Sequence, residues 1–472
     1  MPDSPLDSAG LLDRAFTRAT GAHPLDGNRL QLLRNGAENY PAWLEAIASA
    51  RHWVHLESYI IHDDHTGRMF ADALMAKARQ GVHVAVLYDW WGARGFTRTA
   101  FWRRLRHAGV DVRVFNPPLF DSPLGWLRRD HRKMVGVDGR VAFVAGLCIG
   151  DEWTGDPARG IEPWRDTGIR IEGPAVAQVE RAFASTWGMS GPPLPSHEIP
   201  DPLMMAAVGG TTLRVIASYP SVSGLFRLDQ IVAGQARQRL WLTDAYFVAT
   251  TLFVQTLRAA AEDGVDVRLL VPGATDIAVL RALSRASYRA LLEVGIRVFE
   301  WNGPMLHAKT AVADGRWARV GSSNLNPASW LGNWELDIAI EDSGFAAKME
   351  GMYLEDLAQA TEIVLSERQR VQPINPPDRK PRAERGRKRI GRATAGAIGI
   401  GSTVGAAAAN RRPLGRAEAK VLVAAAVVLL VLIAISIFYP RVITIPLSLL
   451  ALWLAAFLIA MAIRLHRKPP EP

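Results

Sequence analysis

In WVHLESYII (53–61) apolar and polar positions alternate among β-forming residues, which predicts a strand. MFADALMAKARQG carries its apolar residues at helical spacing and stops at Gly81, and VHVAVLYD reads as the next strand. RLQLL (29–33) and a helical YPAWLEAIASA stand before them; a further helix and VDVRVF stand after, leading to HRKMVGVDG (131–139). The order then repeats: LRVIA (213–217), LWLTDAYFV (240–248), the helix LFVQTLRAAAEDG, VDVRLLVPG, the helix ALSRASYRALLEVG, IRVFEW, and HAKTAVADG (307–315). Strands alternating with helices predict a mostly parallel sheet covered on both faces. The chain is therefore expected to be α/β, with two duplicated α-β-α sandwich domains related by pseudo-twofold symmetry. They span 1–190 and 211–370, with the Pro-rich stretch around 191–202 inside a linker at 191–210.

The pattern changes in the last quarter. Residues 421–439 and 445–463 are each 19 residues without a charge, long enough as helices to cross a hydrocarbon core. They predict a C-terminal transmembrane helical hairpin over 421–463, behind a basic, Gly/Ala-rich linker at 371–420. Twelve Lys/Arg against two Glu lie between 379 and 420, Arg464, Arg467 and Lys468 follow the second run, and the hairpin loop holds only Arg441. The positive-inside rule then places both ends, and the body, in the cytoplasm. RKPRAERGRKR (379–389) either touches anionic lipid or acts as a solvated linker. The N-terminus, MPDSPLDSAGLLDRAF, lacks the basic and apolar regions of a signal peptide.

Charge changes meaning once it is located. The chain carries a net +9, but the residues from Arg379 onward carry +13 and the first 378 carry −4. A body that grips a polyanion concentrates positive charge, so no nucleic-acid partner is expected. Cys148 is the single cysteine, which excludes an intrachain disulfide.

The repeated nine residues carry the candidate chemistry. On a strand, positions two apart share a face, so His131 projects with Lys133 and His307 with Lys309. An ammonium offsets phosphoryl charge, and an imidazole beside it serves as nucleophile, acid or base. Two copies in duplicated domains predict one cleft to which each contributes half. Asp138 and Asp314 lie five residues beyond their Lys, face away on a regular strand, and fit turn chemistry with the following Gly. No His/Cys cluster has zinc spacing, and no metal or other cofactor is expected.

H-x-K-x-x-x-x-D in two copies, with GSSN (321–324) after the second, resembles the phospholipase D superfamily. Over about 28–365 the body is similar to its bacterial cardiolipin synthases, on HLESYI (55–60), GRMFADAL (67–74) and WRDTGIRIEGPAV (164–176). That resemblance implies a phosphatidyltransferase joining two phosphatidylglycerols into cardiolipin plus glycerol through a phosphohistidine, with no metal. A hydrolytic phospholipase D releasing phosphatidic acid is the alternative, and a phosphodiesterase or nuclease a more distant one. It places the motif residues His131, Lys133, Asp138, His307, Lys309 and Asp314 in the catalytic set, with His131 as nucleophile and His307 as general acid, or the reverse. It assigns Ser322 and Asn324 to phosphate support, Asp166 and Glu335 to orienting the His of the opposite half, and Glu57 to a supporting role. Its partners are phospholipid and an anionic membrane surface, and its location the bacterial inner membrane. One departure stands out: Cys148 takes the place that Asn324 holds in the second copy. Phe120, Leu124 and Trp126, ahead of the first motif, either meet acyl chains or pack inside.

Overall fold

The computed structural model describes residues 8–118, 128–365 apart from 221, 223, 249 and 277, and 371–373, together with Ile445, Ser448, Leu452 and Trp453. Those last four are helical. Apart from them and Pro118, the described residues belong to one unit, which holds two sheets with the same strand course. In the first, Asp111–Phe115, His83–Asp89 and Trp53–Ser58 are parallel. Lys133–Val137, Val141–Ala145, Thr167–Glu172 and Leu25–Arg34 continue it antiparallel. In the second, Arg297–Trp301, Asp266–Pro272 and Arg239–Thr243 are parallel. Thr310–Ala313, Trp317–Gly321, Asn333–Glu341 and Thr211–Ser218 continue antiparallel. Strand Leu25–Arg34 joins the two, because Leu25 and Asn28 also pair with Leu213 and Thr211.

The expectation of a mostly parallel sheet is corrected here. Within each of these two sheets, only strands connected through covering helices pair in parallel. At each motif the chain reverses through an Asp–Gly turn, and a reversal without a crossover makes antiparallel neighbours. Asp138 and Gly139 (φ 53° and 63°) and Asp314 and Gly315 (φ 52° and 62°) adopt the left-handed conformation that a two-residue hairpin turn requires.

Side-chain chemistry sets the helix starts. Asp64 accepts the Gly67 N–H at 2.8 Å ahead of helix His65–Arg79, whose last turn carries Lys77 and Arg79. Asp342 does the same for Phe345 at 2.7 Å ahead of Ser343–Leu357. Helices Ala175–Met189 and Ser343–Leu357 share one buried cluster, in which Ile169, Val179 and Phe183 meet Ile338, Ile340 and Met349. Each sheet's other face has its own cluster, around Trp43, Phe70 and Val84 in the first half and Leu228, Leu257 and Leu269 in the second. The apolar layer common to both halves gains its burial only when both are present.

Apart from the four helical residues named above, the two uncharged runs lie outside the described residues. So do 379–420 and Phe120, Leu124 and Trp126. Among the described residues no helix is long and apolar enough to cross a membrane.

Candidate active site

Each motif is pinned to the opposite half before its side chains are considered. Arg129 and Asp130 pair with Asn333 and Trp334, and the His131 N–H donates to the Trp334 carbonyl at 2.9 Å. Arg165 pairs with Leu306, and the His307 N–H donates to the Arg165 carbonyl at 2.7 Å. The residue after each of these carbonyls is a carboxylate. Glu335 Oε2 therefore reaches His131 Nδ1 at 2.9 Å, and Asp166 Oδ2 reaches His307 Nδ1 at 2.7 Å. All four side chains are buried.

Buried arginines hold the crossing. Arg132 donates to the carbonyls of Ala182 at 2.7 Å, Ser218 at 3.1 Å and Glu335 at 3.2 Å. Arg165 grips Asp356 of the second half with two bonds of 2.8 Å. Such two-pronged pairing fixes orientation as well as distance.

The electrostatics follow from burial. Desolvation foremost lowers His131 to about 4, with Glu335 opposing and Lys133 and Lys309 reinforcing. His307 also falls to about 4, through burial and then Lys309, against Asp166. Each imidazole thus feels the ammonium groups of both halves. Burial works to raise Asp166, but His307 and Lys309 outweigh it and hold the carboxyl low. Glu335 is likewise held low against burial by His131 and Lys133, and by Ser322, whose hydroxyl donates to it. An ionised carboxylate accepting Nδ1–H leaves Nε2 of a neutral ring with a free lone pair. Burial brings Lys309 down to about 8.

Aromatic rings wall the two imidazoles. Tyr59 meets His131 edge-on at 5.1 Å, and Lys133 Nζ lies 5.4 Å from the same ring. Trp153 and Trp164 each stand 5.6 Å from His307, and Tyr246 stands 6.0 Å away. Asn324 is buried, its backbone N–H donates to the Ser329 hydroxyl at 3.1 Å, and its side-chain oxygen accepts no bond among the described residues. The ladders equate Ala145–Gly168 with Gly321–Asp337, so Cys148 does sit at the position of Asn324. Its thiol is buried and pushed up by desolvation, with Lys133 and Lys309 acting on it in opposition.

Two residues of the sequence-derived set are not brought to this cluster. Asp138 accepts the N–H groups of Arg51, His52 and Trp53, each at 2.8 Å. Asp314 accepts those of Arg237 and Gln238 at 2.8 Å and Arg239 at 2.9 Å. Each carboxylate is spent on fastening a hairpin turn to the strand beside it, about 16 Å of strand from its Lys. Their place among the catalytic groups is corrected on that ground. Glu57 faces helix Ala175–Met189, where it takes the Thr186 hydroxyl, and lies close to the first motif: burial raises it, with Arg132 and Lys133 acting in opposition.

Several groups were missed from sequence. Asp130, Arg132, Arg165 and Asp244 flank the motif residues, yet only long-range contacts give them a role. Asp244 is buried at the end of the strand beside Lys309, accepts the Leu325 N–H at 2.8 Å, and is raised by burial to about 7. The charged letters around each motif, RDHRK and WRD, were the available signal.

The chain matches a family model described as "Cardiolipin synthase, PLD-like domain" over residues 43–187 and 231–357. It is 34% identical over 355 residues to cardiolipin synthase A of Pseudomonas putida, covering 73% of this chain and 71% of that protein. To cardiolipin synthase A of Pseudomonas fluorescens it is 35% identical over 349 residues, covering 72% and 70%. Among solved structures it is similar to phosphatidylserine synthase of Haemophilus influenzae, with a TM-score of 0.59, 15% identity, and coverage of 75% of this chain and 92% of that one. Polyphosphate kinase of Porphyromonas gingivalis gives a TM-score of 0.51 at 16% identity, covering 80% and 53%. At those identities the structural likenesses speak for the mixed α/β fold alone.

Proposed function

The chain belongs to the cardiolipin synthase family of PLD-like domain proteins, and from that premise we propose that it joins two phosphatidylglycerols into cardiolipin and releases glycerol. The observation that carries the reading is the crossed pairing of His131 with Glu335 and His307 with Asp166, beside Lys133 and Lys309. In this reading the Nε2 lone pair of His131 attacks phosphorus. The P–O bond to glycerol breaks, and the leaving oxygen takes the proton that Nε2 of His307 acquires when the phosphodiester anion binds beside it. In the second step His307 removes the hydroxyl proton of another phosphatidylglycerol. That oxygen attacks phosphorus, the P–N bond breaks, and His131 is restored. Lys133, Lys309 and the Asn324 amide hold the nonbridging oxygens as charge builds on them. Glu335 and Asp166 keep each Nδ1 protonated and stabilise the imidazolium as it forms. The two histidines exchange roles in the mirror version of this scheme.

Hydrolysis to phosphatidic acid is the second reading, since it differs only in whether water reaches the phosphohistidine. Both rings are buried among Tyr59, Trp153, Trp164 and Tyr246, which favours transfer. Incubation of the purified protein with phosphatidylglycerol vesicles, followed by mass spectrometry of the lipids, distinguishes them. Cardiolipin and glycerol support transfer, phosphatidic acid alone supports hydrolysis, and neither product would remove the assignment.

The repeated strand course supports two pseudo-twofold-related domains, 1–190 and 211–370, joined by 191–210. The uncharged runs of the tail support a hairpin anchor, with the body on the cytoplasmic face of the bacterial inner membrane. A chain truncated after residue 378 that remained in carbonate-washed membranes would contradict that anchor.

A further inference from the structure

A second cluster of ionisable groups lies away from the phosphoryl site and has no part in that chemistry. His55 and His83 stand on neighbouring parallel strands. Because His83 pairs with Trp53 and His55 with Ala85, both imidazoles lie on one face of the sheet, two positions apart. Glu198 reaches them from the Pro-rich connector between the halves, where residues Ser196–Glu198 form a turn. Its Oε2 lies 3.1 Å from His55 Nε2, and both its oxygens lie 2.8 Å from His83 Nδ1.

The three donor groups converge closely enough to share one ion. Tetrahedral zinc with bonds of about 2.0–2.1 Å sets its ligand atoms roughly 3.3 Å apart, so loading needs Glu198 to draw back from His83 by a few tenths of an ångström. Behind the cluster, His55 Nδ1 meets Glu180, which also takes the Trp53 indole N–H at 3.4 Å. A carboxylate on the far nitrogen of a ligating imidazole is the support that metal-bound histidines show. Phe183 stacks on the His55 ring at 4.7 Å and 16°, which fixes its plane. Gly136 leaves the room that Glu180 occupies, since a Cβ there would meet Oε1 at 2.6 Å.

His55 has no exposed surface and contacts a carboxylate at each ring nitrogen, so its ring is held in one orientation. His83 keeps 36% of its side chain exposed, which gives an ion a way in. His197 Nε2 stands 3.8 Å from Glu198 Oε1 on the open side, where it or a water completes the sphere.

We propose that His55, His83 and Glu198, with His197 or water as the fourth ligand, bind one zinc-like divalent ion that fastens the connector to the first sheet. The sequence offered no local signature, because the ligands come from two strands and a turn more than a hundred residues later.

The test uses untagged full-length protein in detergent, stripped with chelator and titrated with zinc. Calorimetry and elemental analysis are read together with the Tm. About one zinc per chain is expected, with a Tm that rises on loading. His83→Gln, at a half-exposed position that should fold, weakens binding by about 100-fold or more, as does Glu198→Gln. His62→Gln leaves binding intact, which separates this site from the His62, Asp64 and Glu152 cluster. Folded wild-type protein that takes up no zinc at micromolar concentration overturns the proposal. Binding unchanged in His83→Gln, or lost only in His62→Gln, overturns it as well.

Discussion

Glu335 Oε2 lies 2.9 Å from Nδ1 of His131, across 204 positions of sequence. The pairing is matched by Asp166 and His307, so each imidazole depends on the half of the chain that does not encode it. Glu335→Gln and Asp166→Asn replace an acceptor with an amide that disfavours the Nδ1–H tautomer. Each is expected to lower kcat by roughly 10²–10⁴, with KM changed far less. Ser322→Ala, which removes only a hydroxyl donor to Glu335, should cost roughly 10-fold or more. Steady-state cardiolipin formation checks all three, and an unchanged kcat in the carboxylate variants would count against orientation by these acids.

The order of the two histidines is readable from an activated donor. A phosphatidyl ester of an acidic phenol needs no proton to leave. His307→Ala should therefore still form a labelled phosphohistidine from it, and His131→Ala should not. Label on His307 in the His131→Ala protein would reverse the roles.

Both imidazoles sit near 4 in the free site, so neither is a loaded acid at pH 7. A phosphodiester anion placed beside them favours the charged ring and raises that value. Binding of a short-chain phosphatidylglycerol should consequently take up about one proton at pH 7. Calorimetry in buffers of different ionisation enthalpy reads this directly, and heat independent of buffer would rule it out. On the alkaline side, Lys309 near 8 loses its charge as pH rises, so kcat/KM should fall through that region. Lys309→Arg, which keeps its charge, should lose that limb whatever its activity.

Asp138 and Asp314 each hold three backbone N–H groups. Replacing either with Ala leaves those donors without their acceptor, at about 1–3 kcal/mol of stability for Asp138, whose donors are part-buried, and less for Asp314, two of whose donors are exposed. A lowered Tm is expected, with activity per folded molecule largely kept. Loss of kcat at an unchanged Tm would return these residues to the chemistry.

Cys148 is buried and its thiol is pushed up, so little thiolate forms. Iodoacetamide should leave the native protein unlabelled over minutes and add one equivalent after unfolding, as mass spectrometry would show. Rapid native labelling would mark an accessible thiol.

What could be read from the sequence was what lies close along the chain. The strand course, the Asp–Gly turns and the two His–Lys pairs rest on local periodicity. The crossed carboxylates came only through resemblance, because no pattern around Asp166 or Glu335 announces a partner in the other repeat. Arg132, Arg165 and Asp356 act through contacts of the same kind and went unread. The connector at 191–202 looked like a plain linker because of its prolines, yet it drives Glu198 into the first sheet. The parallel bias misled, since helix-linked strands were extended to segments that reverse through a two-residue turn.

Strand Asn333–Glu341 has a further consequence for how the molecule is made. When the ribosome has delivered residue 330, both imidazoles and both lysines exist, but His131 still lacks its carboxylate and its backbone acceptor at Trp334. The groups that orient His131 thus arrive only when nearly all of the body has been translated, so the site cannot be completed on a half-built polypeptide.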